Sequence, residues 1–400
     1  MGAGSVPGAL MATPGRQGSL DTVGRHRPKV GLSALAIGSA LALVAGVASI
    51  GLTPASPAVR GRLTQRGGAG SFRACELIGS GGIKGEFAAS SIRAGLRMAQ
   101  LADPSMRISL VEATSEASYG PDIAKLIGED CGIVVTAGQA MAGATQDAAQ
   151  AHPGRLFAIV DDEDARSMRN VRALSYATNQ GAFLAGFLAA AMSRTGKVGT
   201  FGGEEIPAVI TYMDGWVAGV RYFDKAAHKR VAAVGWTPRK NRPAGSYAGS
   251  GYFLGSFSNT VDGQTEATTL MQQGVDVIFP VAGAAGLGAA AAVKLYGHGV
   301  AMEWSGSDGC VTLPRDCGLF LTSVTDGIAA AVRSTVLAAA HSRFVGGNYL
   351  GDLADNGVGL ARYHHFAKAV PKWLQAKVEA IRSLIISGGI SIDPDSYRSG

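Results

Sequence analysis

The chain is expected to fold as an α/β protein of two lobes, each a parallel sheet flanked by helices. Three observations predict this. Short apolar strands alternate with amphipathic helices from about residue 71 onward, and the series breaks once and then starts again. The 57 glycines, with only 16% charged residues, suit many tight strand-to-helix turns. A chain of 400 residues is ample for two such lobes after a leader.

In the first series FRACELIG leads into EFAASSIRAGLRMAQLA, RISLVEA into SYGPDIAKLIGED, and GIVVTAG into AMAGATQDAAQAH, with RLFAIVDD closing the set. After NVRALSYATNQ comes GAFLAGFLAAAMSRTG, a helix so apolar that it must pack in the core, and too short for a membrane span. A second series follows: KVGTFGG, KRVAAVGW, the helix TVDGQTEATTLMQQG, VDVIFPVAG, a helix around AAAAVKLYG, and VAMEWSGSDG. Residues 236–253 carry turn residues throughout and read as a surface hairpin with a solvated basic loop near Arg239. LFLTSVTDGIAAAVRSTVLAAAHSRF reads as the crossover and helix that return the chain to the first lobe. Residues 371–387 form an amphipathic helix opened by Pro371 and ended by Gly388 and Gly389. The first lobe is thus expected at 71–175 and 323–355, the second at 176–322 and 356–400, and repeated crossings make the joint a hinge. A ligand would sit where the C-terminal strand ends of the two sheets face each other.

Residues 30–52 are an uncharged, mostly apolar run, which at ~1.5 Å per residue can cross a ~30 Å hydrocarbon core. Arg25, Arg27 and Lys29 precede it, so residues 1–29 are expected to be a basic cytoplasmic tail and the bulk of the chain extracellular. The run is a transmembrane anchor or an uncleaved signal; the small residues of TPASPA just after it offer a cleavage site as the other reading. Residues 53–70, with Pro54, Pro57 and several glycines, read as a linker. The formal charge of +6 includes leader and loop residues and makes no dense basic face, so nucleic acid is not an expected partner.

The four cysteines belong to an expected exported domain, and none are spaced CxxC. Cys310 and Cys317 flank a short Pro-containing loop, where a local disulfide is easy to form. Cys75 and Cys131 lie on strands that would neighbour each other, and are either a second disulfide or two buried thiols.

The most informative stretch is GKVGTFGGEEIPAVITYMDGWVAGVRYFDK at 196–225. A strand runs through a Gly-Gly turn past Glu205 into a helix opened by a proline, with Tyr212, Trp216 and Val220 at helical spacing. Such a turn aims backbone N–H groups at one spot and favours electron-rich ligand atoms there.

This stretch closely resembles the corresponding segment of the basic membrane protein family, the purine-nucleoside-receptor-like substrate-binding proteins of ABC importers. The likeness extends over about residues 72–393. NQGAFLAGFLAA, GGEEIPAVITYMDGWVAGV, GVDVIFPVAGAAGLG, FLTSVTDGIAAAV and DNGVGLARYHHF through IISGGISI stand in family order. The resemblance implies a two-lobed, type I periplasmic-binding-protein-like fold preceded by one transmembrane or signal helix. It implies a nucleoside-like small-molecule solute, ABC permease subunits as partners, and a cell-membrane location with the binding domain outside. Members are typically lipoproteins, but the first cysteine here, Cys75, lies well past the apolar run and inside an expected strand, so that helix would replace the lipid.

By the same resemblance, Tyr212 is the aromatic that forms one face of a stacking clamp and Phe87 the other; Phe87 alternatively packs at the helix start. Gly283 and Gly286 form a strand-to-helix turn that lies against ligand or is simply tight. Asp308 keeps the second of two ribose-binding aspartates, while Gly306 occupies the first. Gly79 stands in place of an Asp, Lys84 and Gly85 in place of an acidic pair, and Asp326 in place of a ribose-contacting Lys. Asp326 would cap the following helix, or bind a hydroxyl-rich or cationic ligand, or pair with a cation such as Lys84. These departures imply an altered ligand site.

No catalytic set is present: no nucleophile elbow, HExxH or P-loop appears, and the histidines are scattered, with His364 and His365 reading as surface residues. The chain is therefore expected not to be an enzyme, and to need no cofactor or metal. The alternative to a receptor is a membrane-anchored ligand sensor or regulatory interaction protein with a vestigial cleft.

Overall fold

The computed structural model describes residues 71–80, 88–161, 168–240, 248–296, 299–393 and 396. The tail 1–29, the apolar run 30–52, the linker 53–70, Lys84 and Phe87 lie outside the described residues. Among the described residues no helix is long and apolar enough to cross a membrane.

The first lobe follows the expected alternation: β1 (Arg73–Ile78), α1 (Ala89–Ala102), β2 (Arg107–Glu112), α2 (Tyr119–Gly128), β3 (Ile133–Ala137), α3 (Gln139–Ala151), β4 (Leu156–Val160) and β5 (Val171–Tyr176). The chain then enters the second lobe through α4 (Thr178–Met192), β6 (Lys197–Gly202) and α5 (Pro207–Ala227). β7 (Ala232–Val234), β8 (Trp236–Pro238) and β9 (Gly249–Gly251) come next, then α6 (Thr260–Gln272), β10 (Val277–Val281), α7 (Gly286–Tyr296), β11 (Ala301–Gly306), the short α8 (Gly309–Thr312) and β12 (Phe320–Asp326). The remaining elements are α9 (Ile328–Ala340), β13 (Gly347–Gly351), β14 (Val358–Leu360) and α10 (Lys372–Ile386).

Two six-stranded sheets result, ordered β13-β5-β4-β3-β1-β2 and β14-β12-β11-β10-β6-β7. The first is wholly parallel; the second is parallel except for β14, which runs antiparallel to β12 along its edge. That edge strand departs from the all-parallel expectation. Neither β13 nor β14 shows in the sequence pattern, because both are short and glycine-containing and are held as strands by pairing to a formed sheet. The surface hairpin is present as the antiparallel pair β8 and β9.

Both faces of each sheet are covered, which is why strands such as β3, β4 and β10 are buried along their whole length. α4 is buried around most of its circumference, from Gly181 through Ala190, as its composition requires of a core helix. Its close partner is α5. A Cβ placed on Gly186 would lie 1.9 Å from the Trp216 carbonyl oxygen, so only glycine allows the two backbones to approach this closely.

Cys75 on β1 is bonded to Cys131 just before β3, with their Cα atoms 5.9 Å apart. Cys310 in α8 is bonded to Cys317, Cα to Cα 4.4 Å, across the loop that leads to β12.

The chain passes between the sheets three times: at Ala177 after β5, at Gly327 after β12, and through 352–357 between β13 and β14. β12 stays in the second sheet through Asp326, past the lobe boundary expected at 322. The crossings are stitched together by Ala177 N–H donating to Gly351 O (2.9 Å) and Gly327 N–H to Gly357 O (2.7 Å). A Cβ on Gly357 would fall 2.3 Å from Gly351 Cα, so the strands pass where a side chain has no room.

Candidate functional site

Because all three crossings lie at the C-terminal ends of the parallel strands, the residues just beyond those ends face one another across the joint. From the first lobe come Asp161, next after β4, and Tyr176, the last residue of β5. The Asp161 N–H donates to Leu174 O at 2.9 Å, which fixes Asp161 beside β5. Its backbone is left-handed, φ +59°, a conformation that Asp tolerates better than most residues. From the second lobe come Asp326, the last residue of β12, and Tyr212 in the second turn of α5.

Tyr212 is held in place by what lies behind it. The Trp216 ring, one turn further along α5, stacks on Phe279 of β10 with centroids 6.0 Å apart, and its Nε1 donates to Glu303 Oε2 at 2.7 Å. Glu303 is fully buried, and burial pushes its carboxyl up to about 8 despite that donor. Further along the chain Trp236 Nε1 donates to Asp214 at 2.8 Å. These two indole bonds lock the rotation of α5 and so aim the Tyr212 hydroxyl at the joint, where it donates to Asp326 Oδ2 at 3.3 Å.

The remaining carboxylate oxygen, Asp326 Oδ1, is buried and has no partner among the described residues. The Tyr176 hydroxyl is likewise buried without a partner, on a residue only 8% exposed. Among the described residues no Lys or Arg pairs with Asp161 or Asp326. The electrostatics follow from this. Burial pushes Asp161 up to about 7. Burial, then the charge of Asp161, hold Asp326 well above the usual carboxylate range, although the Tyr212 hydroxyl and the Ile328 N–H favour its charged form. Burial and the two carboxylates together push the Tyr176 and Tyr212 hydroxyls far up. A carboxylate from each lobe and two tyrosine hydroxyls thus form one interacting polar cluster.

The sequence-derived site residues are distributed differently from expectation. Tyr212 reaches the joint: its ring is 2% exposed and packs against Phe279 at 6.3 Å, and its hydroxyl is bonded to Asp326. Gly327 is the capping residue of α9 and carries no side-chain bond, while the Asp326 carboxylate, one residue earlier, is favoured in its charged form by the Ile328 N–H at the helix start. Glu205 is exposed in the turn between β6 and α5. The N–H groups of the Gly-Gly turn are not free for a ligand: Gly202 donates to Tyr252 O and Gly203 to Val281 O, both at 2.9 Å. Gly283, at φ +53°, lies in the turn before α7 under Phe257, and Gly286 packs under Trp304. Asp308 caps α8, its Oδ1 accepting from the Cys310 N–H at 2.9 Å and its Oδ2 bonded to His364 Nε2 at 2.8 Å, so both oxygens are engaged within the protein. Asp161 and Tyr176 had no expected role. The signal that could have found them is position alone, a polar residue at the C-terminal end of a buried parallel strand.

Comparison with known proteins agrees with this geometry. A family model described as "ABC transporter substrate-binding protein PnrA-like" matches residues 75–240. Basic membrane protein A1 of Borrelia garinii subsp. bavariensis is 25% identical over 295 residues, covering 72% of this chain and 80% of its own. A CD4+ T-cell-stimulating antigen of Listeria monocytogenes is 26% identical over 295 residues, 70% of this chain and 76% of its own. In fold, the chain is similar to a solute-binding protein of an ABC transporter system from Aeropyrum pernix, with TM-score 0.69 and 21% identity over 80% of this chain and 92% of that one. It is also similar to a transcriptional activator of the comK gene from Bacillus halodurans, with TM-score 0.63 and 17% identity over 80% and 99%. Two α/β lobes and sequence likeness across most of the folded chain point the same way: the chain is similar to the basic membrane proteins, and residues 75–240 match the PnrA-like substrate-binding proteins of ABC transporters.

Proposed function

We propose that this chain is the extracytoplasmic receptor of an ABC importer and that it closes on a nucleoside or a related small polar solute, in a site altered from the family pattern. The observation that carries the reading is the polar cluster at the joint, to which each lobe contributes a carboxylate and a tyrosine hydroxyl. A solute that bonds both halves stabilises the closed form over the open one, and only that difference in contact can drive closure. The closed receptor would then be recognised by permease subunits. The apolar run 30–52, with Arg25, Arg27 and Lys29 before it, would hold the receptor at the outer face of the cell membrane.

A thermal-shift screen of the intact chain against nucleosides, bases, sugars and amino acids tests this. A solute at about a hundredfold excess over its Kd adds about 3 kcal/mol of stability through mass action, a readily measured rise in Tm. If neither a member of the four classes nor an organic cation raises Tm, the receptor reading fails, and a sensor with a vestigial cleft takes its place.

A further inference from the structure

We infer that the solute carries a positively charged nitrogen, an ammonium or guanidinium group that sits between Asp161 of the first lobe and Asp326 of the second. This rests on the receptor reading above and names the class of solute.

The cluster at the joint carries two carboxylates and two tyrosine hydroxyls, more acceptor than donor capacity. Among the described residues, Asp326 Oδ1 is buried with no partner, the Asp161 carboxylate receives no hydrogen bond or ion pair, and the Tyr176 hydroxyl, which feels both charges, is buried and unpartnered. The one side-chain donor pointed at Asp326 among the described residues, the Tyr212 hydroxyl, is spent on Oδ2. Two carboxylates short of donors, with the Tyr176 hydroxyl able to accept as well as donate, suit the N–H bonds of an ammonium or one edge of a guanidinium. A buried acceptor left unmade costs free energy, and a buried carboxylate costs more, so a built site of this kind is incomplete without a donor.

Charge separates a cationic donor from a neutral one. Asp161 and Asp326 come from opposite lobes, so when both are ionised they repel and favour the open form; a cation between them reverses the sign of that interaction and pulls the lobes together. A hydroxyl-bearing neutral solute would supply hydrogen bonds but leave two like charges facing each other. Among the described residues, the groups around the cluster add no compensating positive charge. Tyr349 touches Tyr176 edge-on at 6.1 Å, Asp352 and Asp355 lie beyond it, and Arg172 sits over the far partner, Tyr349, at 5.9 Å from its ring centroid. In the empty site the pair can avoid repulsion by keeping a proton, which a bound cation would displace.

Titration calorimetry of the intact chain with putrescine and agmatine, and with adenosine, inosine and ribose as neutral probes, decides the matter. Each titration is run in two buffers of different ionisation enthalpy so that proton release is read directly. The expected result is binding of at least one cation with net proton release near neutral pH, and no binding of comparable strength by the neutral probes. Asp161→Asn and Asp326→Asn should each weaken the cation by about tenfold or more, while leaving the ligand-free Tm unchanged or raised. Neutral probes that bind tightly without proton release, or cation affinity that survives both substitutions, overturn the inference and leave the receptor reading standing. Failure of both cations to bind also overturns it; the receptor reading falls only if the wider solute screen is negative too.

Discussion

Tyr212 on α5 donates its hydroxyl to Asp326 at the end of β12 across 3.3 Å, tying the helix that leaves the Gly-Gly turn to the strand from which the chain crosses back to the first lobe. Removing that hydroxyl in Tyr212→Phe leaves Asp326 without its side-chain donor, while the ring can still pack on Phe279. Solute affinity is expected to drop by about fivefold or more, with a stability change near 1 kcal/mol. Calorimetry and urea unfolding of the variant separate the two effects; a large loss of stability with unchanged affinity would make Tyr212 a purely structural residue.

Stability should depend on pH in an unusual direction. Asp161 is raised to about 7 and Glu303 to about 8, both above their unfolded values of 3.8 and 4.5. Between the unfolded and folded values the native state holds more protons than the unfolded chain, so stability falls as pH rises. The ligand-free protein is thus expected to melt at a higher temperature near pH 5 than near pH 8. Glu303→Gln, which keeps an acceptor for Trp216 Nε1 and loses the charge, should flatten the upper part of that slope in a Tm-versus-pH series.

Gly186 tests the packing of α4 on α5. Its hydrogen faces the Trp216 carbonyl, and a methyl there would overlap it. Gly186→Ala should destabilise the fold by about 1–3 kcal/mol or more through overpacking, measured as a lower urea midpoint. It should also disturb binding, because the same shift moves the turn that carries Tyr212. An unchanged midpoint would mean that the two helices have slack.

The two disulfides should differ in worth. Cys75–Cys131 spans a sequence separation of 56 and Cys310–Cys317 one of 7. On a chain-entropy basis the longer loop contributes about 4 kcal/mol and the shorter about 2.5 kcal/mol. Paired Cys→Ser variants compared by chemical denaturation should preserve that order; equal losses would point to an enthalpic origin.

Much of the architecture can be read from pattern. Buried parallel strands such as β3 and β10 announce themselves as apolar runs, and Pro371 and Gly388 mark the last helix. β13 and β14 do not, since what makes Gly347–Gly351 and Val358–Leu360 strands is the edge that they join. The site was legible only in part. Asp326 and Tyr212 stand out by likeness to a family, yet the ring of Tyr212 went into the core, because Phe279 and Trp216 form an apolar wall behind it. Asp161 and Tyr176 carry no local signature; they matter because adjacent parallel strands bring them together at a joint that local sequence does not describe. The Gly-Gly turn misled for a related reason: its N–H groups are satisfied by Tyr252, beyond the hairpin, and by Val281 on the neighbouring strand, long-range partners invisible in the stretch itself.

The central claim is that the two lobes close on a solute held between them. Small-angle X-ray scattering of the intact chain, with and without a solute that raises its Tm, measures this directly. A smaller radius of gyration with solute, lost in Asp326→Asn, is the expected result; an identical radius in both states, at saturating solute, would contradict it.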